Sequence, residues 1–417
     1  MTQNIVDCDV AIIGAGPAGS SAAKMLKALG YSVSVIERDH FPRFSIGESL
    51  LPACMDLLEE ADMLTDIQKA GFQYKKGATF RRCSNIYSID FTNKFSNGWD
   101  HTYQVQRDRF DDILAQNAVR AGASIYFGCT ITDMSLAKDN CIITYINSQN
   151  KPQRLRSRFC LDASGAGRVL ARALDLSRPS DFPVRQAVFS HFSVPASNTR
   201  IEWEKITATI HFQHSDMWYW LIPFENGTCS VGAVGTRDVF NETAVSIGSE
   251  DPKDLLLTLI DQDPMMKDLL SGAVAKGTAR QLIGYASDIK QLHGDGFAIL
   301  GNAGEFLDPI FSSGVTIALK SASLAVAALH QQLQGKNVDW ETEFSTPLQD
   351  GINVFRAYVD AWYDGTLPLV FFHPNPSPDI ARMLCSILAG YVWDNKNPYV
   401  KHPKRRLSAL VELCRTS

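Results

Sequence analysis

The chain has 417 residues, with 45 acidic against 40 basic side chains and a formal net charge of −5. With 20% charged and 45% hydrophobic residues, it has ordinary globular proportions, and its mild negative charge excludes a protein that coats nucleic acid or an acidic membrane surface. This length calls for two or three cooperating subdomains; the nine scattered cysteines form no CxxC pair, and neither a signal peptide nor an apolar run of roughly 20 residues is recognisable, so a cytoplasmic protein with reduced thiols and no metal site is expected.

The first element is a β-branched run, residues 8–13, that leads into Gly14-Ala15-Gly16-Pro17-Ala18-Gly19. A small-residue helix follows, then a strand over Ser32–Ile36 that ends at Glu37 and Arg38. This is a βαβ unit with G-x-G-x-x-G at its first turn. Gly14 permits the tight turn, Gly16 lets backbone amides approach a pyrophosphate, and Gly19 lets the helix pack on the strand. The helix start at Ala18 then turns its positive end toward the phosphates. Glu37 is placed to accept from a ribose 2′-OH and would repel a 2′-phosphate, which points to FAD or NAD rather than NADP.

Further along come Gly47-Glu48-Ser49-Leu50-Leu51-Pro52, then Gly71-Phe72-Gln73-Tyr74-Lys75-Lys76-Gly77, then Arg107. Residues 159–161 read as a strand that ends in Asp162-Ala163-Ser164-Gly165. The segments 65–100 and 178–280 alternate as β-strands do, and Trp218-Tyr219-Trp220-Leu221-Ile222-Pro223 puts Trp218 and Trp220 on one face. A late strand breaks at Gly301-Asn302-Ala303-Gly304. Asp308 follows, then Ser312-Ser313-Gly314-Val315 at the start of a long helix, whose amides and serine hydroxyl can hold a small anion. Residues 336–417 are helical in pattern and rich in aromatics.

These motifs resemble the flavin-dependent halogenases of the phenol and pyrrole type, within the FAD-dependent aromatic hydroxylase-like monooxygenases, across nearly the whole chain. The resemblance implies an α/β fold: a Rossmann-like FAD-binding domain with a parallel sheet (1–64, 101–177 and 281–335), an inserted antiparallel sheet (65–100 and 178–280) and a C-terminal helical cover over the substrate pocket (336–417). It implies FAD, arriving reduced from a separate flavin reductase, with O₂ and chloride or bromide. FAD contacts would come from Gly14, Gly16, Ala18, Gly19, Glu37, Arg38, Ser49, Arg107, Asp162, Gly301, Asp308, Gly314 and Val315. The halide would sit at Ser313 and Gly314, and hypohalous acid made at the flavin would cross to Lys75, with Lys76 a register-shifted second choice. Trp218 and Trp220 would keep substrate away from the flavin. The substrate would be an electron-rich phenol or pyrrole, free or tethered to a carrier protein.

Where the tryptophan-acting enzymes carry an acidic residue before the S-[ST]-G element, this chain has Phe311, which argues against free tryptophan. Each residue also has a plainer reading. Lys75 could be a surface lysine, the Trp pair core aromatics, Ser313 an N-cap and Glu48 a helix-end charge. A hydroxylase or reductase of the same fold, without halide chemistry, is the alternative.

Overall fold

The computed structural model describes residues 5–374 and 377–416. In chain order the elements that position the site are β1 (Ile5–Ile13), α1 (Pro17–Ala28), β2 (Val33–Ile36), α2 (Ala53–Glu60), β3 (Gln73–Lys75), β4 (Gly77–Arg82), β5 (Asn85–Asp90), α3 (Arg107–Arg120), β6 (Ser124–Tyr126) and β7 (Pro152–Asp162). They continue with β8 (Arg185–Ser193), β9 (Lys205–Ile210), β10 (Trp218–Pro223), β11 (Thr228–Thr236), β12 (Val274–Ile283), β13 (Phe297–Ile299), α4 (Ser313–Leu333) and α5 (Thr346–Tyr363).

The first sheet has a parallel core in the order β13-β7-β1-β2-β6. Its central strand buries Val10, Ala11 and Ile12 completely, as expected where helices cover both faces. α1 packs against α4 on one face. Gly14 has φ +93, and Gly19 lies so close to its carbonyl that a Cβ there would stand 1.9 Å from the oxygen. Those two glycines fix the angle at which α1 leaves β1.

The second sheet has seven strands in the order β12-β8-β11-β10-β9-β4-β5. It is antiparallel except for β9 and β4, which pair in parallel. That corrects an all-antiparallel expectation, and chain order explains it: β4 and β9 come from separate insertions with over a hundred residues between them, so no hairpin constrains their direction. One face of this sheet packs against the C-terminal helices. Phe80 lies 5.6 Å from Trp362, and Tyr87 stacks on Phe371 at 4.5 Å.

One sequence expectation changes here. α4 is long and apolar enough to cross a membrane by length and composition. Two-thirds of its most apolar window is buried inside the protein, which makes it the core helix between the two FAD-side motifs.

Candidate active site

The Gly14–Gly19 loop sits at the carboxyl end of β1, and its first amides are tied down by β2. Gly14 N–H donates to Ile36 O at 2.8 Å, and Ala15 N–H donates to Glu37 Oε2 at 2.7 Å. Glu37 also accepts from Asp39 N–H at 2.9 Å and is nearly buried. α1 has no side-chain cap, so the amides at Ala18 and Gly19 remain available at a positive helix end. A Cβ on Gly16 would meet only the Arg43 guanidinium, 3.7 Å away, so this loop offers open space under a fixed cation. Arg43 is held in turn by Asp111 at 3.0 Å. Together these groups form a cradle for a pyrophosphate.

The second half of that cradle is the Gly301–Ala303 turn and the start of α4. Asn302 Oδ1 is buried with no protein partner, and Asn302 lies against Gly314. Ser312, just ahead of α4, has φ +54 and makes no capping bond, which leaves the amides of Ser313, Gly314 and Val315 uncapped. An orphaned amide oxygen beside an uncapped helix start suits a polyhydroxy chain and an anionic ring edge, so these residues fit FAD.

Three side chains expected at the cofactor are held by bonds within the protein. Asp162 accepts from Ser164 N–H at 2.9 Å and Leu170 N–H at 2.6 Å, fixing the turn after β7. Asp308 accepts from Ile310 N–H at 3.0 Å, Tyr285 Oη at 3.1 Å and Tyr363 Oη at 3.0 Å. Burial raises the pKa of both carboxyls. Arg107 grips Asp111 through two bonds, at 2.7 and 2.9 Å, and donates to Ile46 O at 2.5 Å. These groups shape the backbone that meets the cofactor, and their own polar atoms are spent. Arg38 is exposed, with Asp39 3.5 Å away.

Lys75 is 1% exposed. Strand parity turns it inward from β3, while Lys76 points out to Glu204 at 2.5 Å. Lys75 Nζ donates to Ser49 Oγ at 2.8 Å and to Leu50 O at 2.7 Å, which joins β3 to the Gly47-Glu48-Ser49 turn. Burial pulls its pKa down to about 7. The amine borders an otherwise apolar cavity of about 20 Å³ lined by Leu51, Ala78, Phe80, Phe91, Ile206, Ala208, Phe311 and Leu388, with Ser312 as its other polar neighbour. Cys54 bonds Thr316 at 3.1 Å, which pins the start of α2 against the first turn of α4.

The sheet register explains how this cavity is closed. One row crosses the second sheet: Arg280 on β12, Phe189 on β8, Gly232 on β11, Trp220 on β10, Ala208 on β9 and Phe80 on β4. Ala208 and Phe80 line the cavity. Phe189 and Arg280 line a separate open cleft of about 210 Å³ under Phe44. Gly232 and Trp220 stand between them in this row. The Trp220 ring lies over Gly232, where a Cβ would be 2.2 Å from the indole, and its Nε1–H donates to Ser230 Oγ at 3.1 Å. Trp218, on the same face, donates to Tyr363 Oη at 2.9 Å. Glu48 does not serve α2, because its carboxylate faces His191 at 2.8 Å.

The sequence reading did not single out Asn302, Arg43, Ser312 or His191. Asn302 stood inside the Gly301-Asn302-Ala303-Gly304 turn, and Ser312 was one residue from Ser313. Arg43 and His191 carried no local signal. Lys401, Lys404, Arg405 and Arg406 form an exposed basic run near the C-terminus, and Lys404 lies 3.6 Å from Asp360.

Residues 7–343 match the family described as FAD binding domain. A 1H-pyrrole-2-carbonyl-(peptidyl-carrier protein) chlorinase of Pseudomonas fluorescens is 26% identical, over 97% of this chain and 94% of that protein. The crystal structure of a flavoprotein/dehydrogenase from Cytophaga hutchinsonii superimposes with a TM-score of 0.93 at 40% identity, covering 98% of this chain and 99% of that one. The structure of the flavin-dependent brominase Bmp2 gives 0.83 at 26%, covering 99% and 100%. The chain therefore belongs to the FAD binding domain family, as an enzyme of the FAD-dependent oxidoreductase type whose relatives include flavin-dependent halogenases.

Proposed function

We propose that this protein is a flavin-dependent halogenase acting on an electron-rich phenol or pyrrole. The observation that carries the reading is Lys75: a buried amine, shifted to about 7, on the wall of an apolar cavity that Trp220 separates from the open cleft. FAD, bound reduced, would supply with O₂ and chloride or bromide the hypohalous acid that this cavity uses. The protein's own groups do the rest. The uncapped amides of Ser313 and Gly314 offer the halide a positive site. Ser49 and Leu50 hold Lys75 so that its amine meets the oxidant. The indole of Trp220 keeps the arene from the flavin, which suppresses direct oxygen insertion.

The cavity has no acidic lining residue to meet a free amino acid's ammonium group, so it favours a small ring without one. The pyrrole-carrier-protein specificity of the Pseudomonas relative supports a ring presented on a carrier protein. A separate flavin reductase would supply the reduced cofactor. A second reading, an FAD oxidoreductase without halide chemistry, is favoured by the 40% identity to a flavoprotein/dehydrogenase. The deciding experiment supplies FAD, a flavin reductase, O₂ and bromide to the protein with a panel of phenols and pyrrolyl thioesters. Brominated product is expected; an oxygenated or reduced product that forms equally without halide would establish the second reading.

A further inference from the structure

The Gly47-Glu48-Ser49 turn is held from both sides. Glu48 O accepts from Val105 N–H at 2.7 Å, Gly47 O accepts from Arg107 at 3.3 Å, and Ser49 Oγ accepts from Lys75. The Glu48 side chain is 1% exposed. One oxygen lies 2.8 Å from His191 Nε2, and the other is buried with no protein partner. A buried carboxylate oxygen left in that state is costly unless a proton or a ligand group meets it.

His191 reaches Glu48 from β8 at a break in register. Phe189 pairs with Arg280 but His191 with Lys276, so β12 bulges over residues 277–279 and opens the cleft above the imidazole. The ring sits 5.9 Å from Phe44 and 5.5 Å from Phe224, and its side chain is 32% exposed. The charges that face it are Glu48 from the turn, Asp108 from the start of α3, and Lys276 and Arg280 from β12. Burial lowers the imidazole pKa, yet the bond and charge of Glu48, with Asp108, outweigh it, and the net direction is upward. The pair thus connects open solvent to an unpartnered oxygen beside the residue that holds Lys75.

We propose that Glu48 and His191 form a proton-exchange pair for bound FAD, with Glu48 facing the cofactor and His191 as the positioning residue that reloads it from the cleft. The inference rests on FAD binding and holds with or without halide chemistry. Two-electron reduction of bound FAD by an external reductant would require at least one proton. The imidazolium Nε2–H passes its proton to the Glu48 carboxylate, the carboxyl group hands it on to the cofactor and returns to carboxylate, and water in the cleft returns a proton to the imidazole.

The test uses the FAD holoenzyme of the wild type, Glu48→Gln and His191→Gln. The midpoint potential and rate of dithionite reduction are followed by flavin absorbance from pH 5.5 to 9. The wild-type potential is expected to break slope near neutrality. His191→Gln should lose the break and reduce about tenfold more slowly above pH 7.5, and Glu48→Gln should behave the same at every pH. Variant curves that superimpose on the wild type with FAD bound would overturn the proposal. Should either variant misfold, proton uptake per FAD reduced in unbuffered wild-type protein gives the answer. A step in uptake near neutral pH is expected, and a flat value across the range overturns the pair. Loss of halide-dependent product with these curves intact would count against the halogenase reading alone.

Discussion

On the nucleotide side, Asp162, Asp308 and Asp111 are buried, and every carboxylate oxygen is taken by an amide, a tyrosine or an arginine. On the cavity side, Lys75 makes two hydrogen bonds and faces an apolar void, and Glu48 leaves one oxygen without a partner. Burial acts on both groups of residues, but its consequence differs. Where partners are complete, a buried charge is a strut whose loss is paid in stability. Where they are incomplete, a polar atom stays open to chemistry: the Lys75 amine, its pKa pulled down to about 7, can attack an electrophile, and the free Glu48 oxygen can meet a ligand group. The same contrast predicts where substitutions cost folding and where they cost chemistry.

The sharpest break of that contrast is Lys75→Ala. Product formation is expected to fall by about 10²-fold or more, while FAD binding and O₂ consumption by the reduced flavin persist. Product analysis beside oxygen-electrode traces checks both. Acidity supplies a second reading. The unfolded chain holds the Lys75 proton to its ordinary value of 10.5, and the folded chain only to about 7. Between those limits the unfolded state binds more protons, so stability rises with pH across the window. Lys75→Met should therefore exceed the wild type in urea resistance at pH 7, with the gap closing toward pH 10. If the free amine is the nucleophile, as the proposed function holds, product formation should climb as pH passes 7.

On the strut side, Asp111→Ala should cost about 3–5 kcal/mol in urea unfolding, because it strands Arg107 and removes the bond to Arg43. FAD affinity should fall with it, since Arg43 lies over Gly16. An unfolding midpoint unchanged from the wild type would remove Asp111 from the struts.

Gly232→Ala tests the wall between the two voids. A methyl group at 2.2 Å from the Trp220 ring must displace it, at about 1–3 kcal/mol. A displaced indole opens the cavity toward the cleft, so the fraction of reduced flavin that yields oxygenated or no product should rise, read as product per O₂ consumed. Unchanged coupling would mean that Trp220 is core packing and no barrier.

The glycine loop and Glu37 were readable because a βαβ unit is local: its strand, turn, helix and acid fall within one stretch of about 30 residues. Lys75 was readable as a position but not as an environment. Its inward face depends on strand parity, which separates it from Lys76, and its low pKa depends on Leu51, Phe91 and Phe311, which arrive from three distant segments. The row from Arg280 to Phe80 spans six strands drawn from residues 77–283, so no local pattern could show that Gly232 exists to seat Trp220. His191 and Glu48 are 143 residues apart and meet only because a bulge places one over the other. Asp162 and Asp308 were found for their position but not for the amides and tyrosines they bind. A sequence shows that an acid follows a turn, but not that the turn's own amides have claimed it.

The smallest expected effect is the most discriminating within the nucleotide side. Tyr363 donates to Asp308 and accepts from Trp218, so it is the only described residue that hydrogen-bonds both the loop ahead of α4 and the tryptophan face. Tyr363→Phe removes one of three donors to a buried carboxylate while keeping the ring on which Arg185 lies at 3.4 Å. The loss should be about 1 kcal/mol, since Tyr285 and Ile310 still serve Asp308. If Asp308 is only a strut, halogenation should change no more than stability does. If the bond also holds Trp218 in place, product per O₂ should fall in Tyr363→Phe as in Gly232→Ala, and the double variant should be no worse than the poorer single one. Additive losses would separate the two tryptophans into independent roles, with Trp220 alone as the wall.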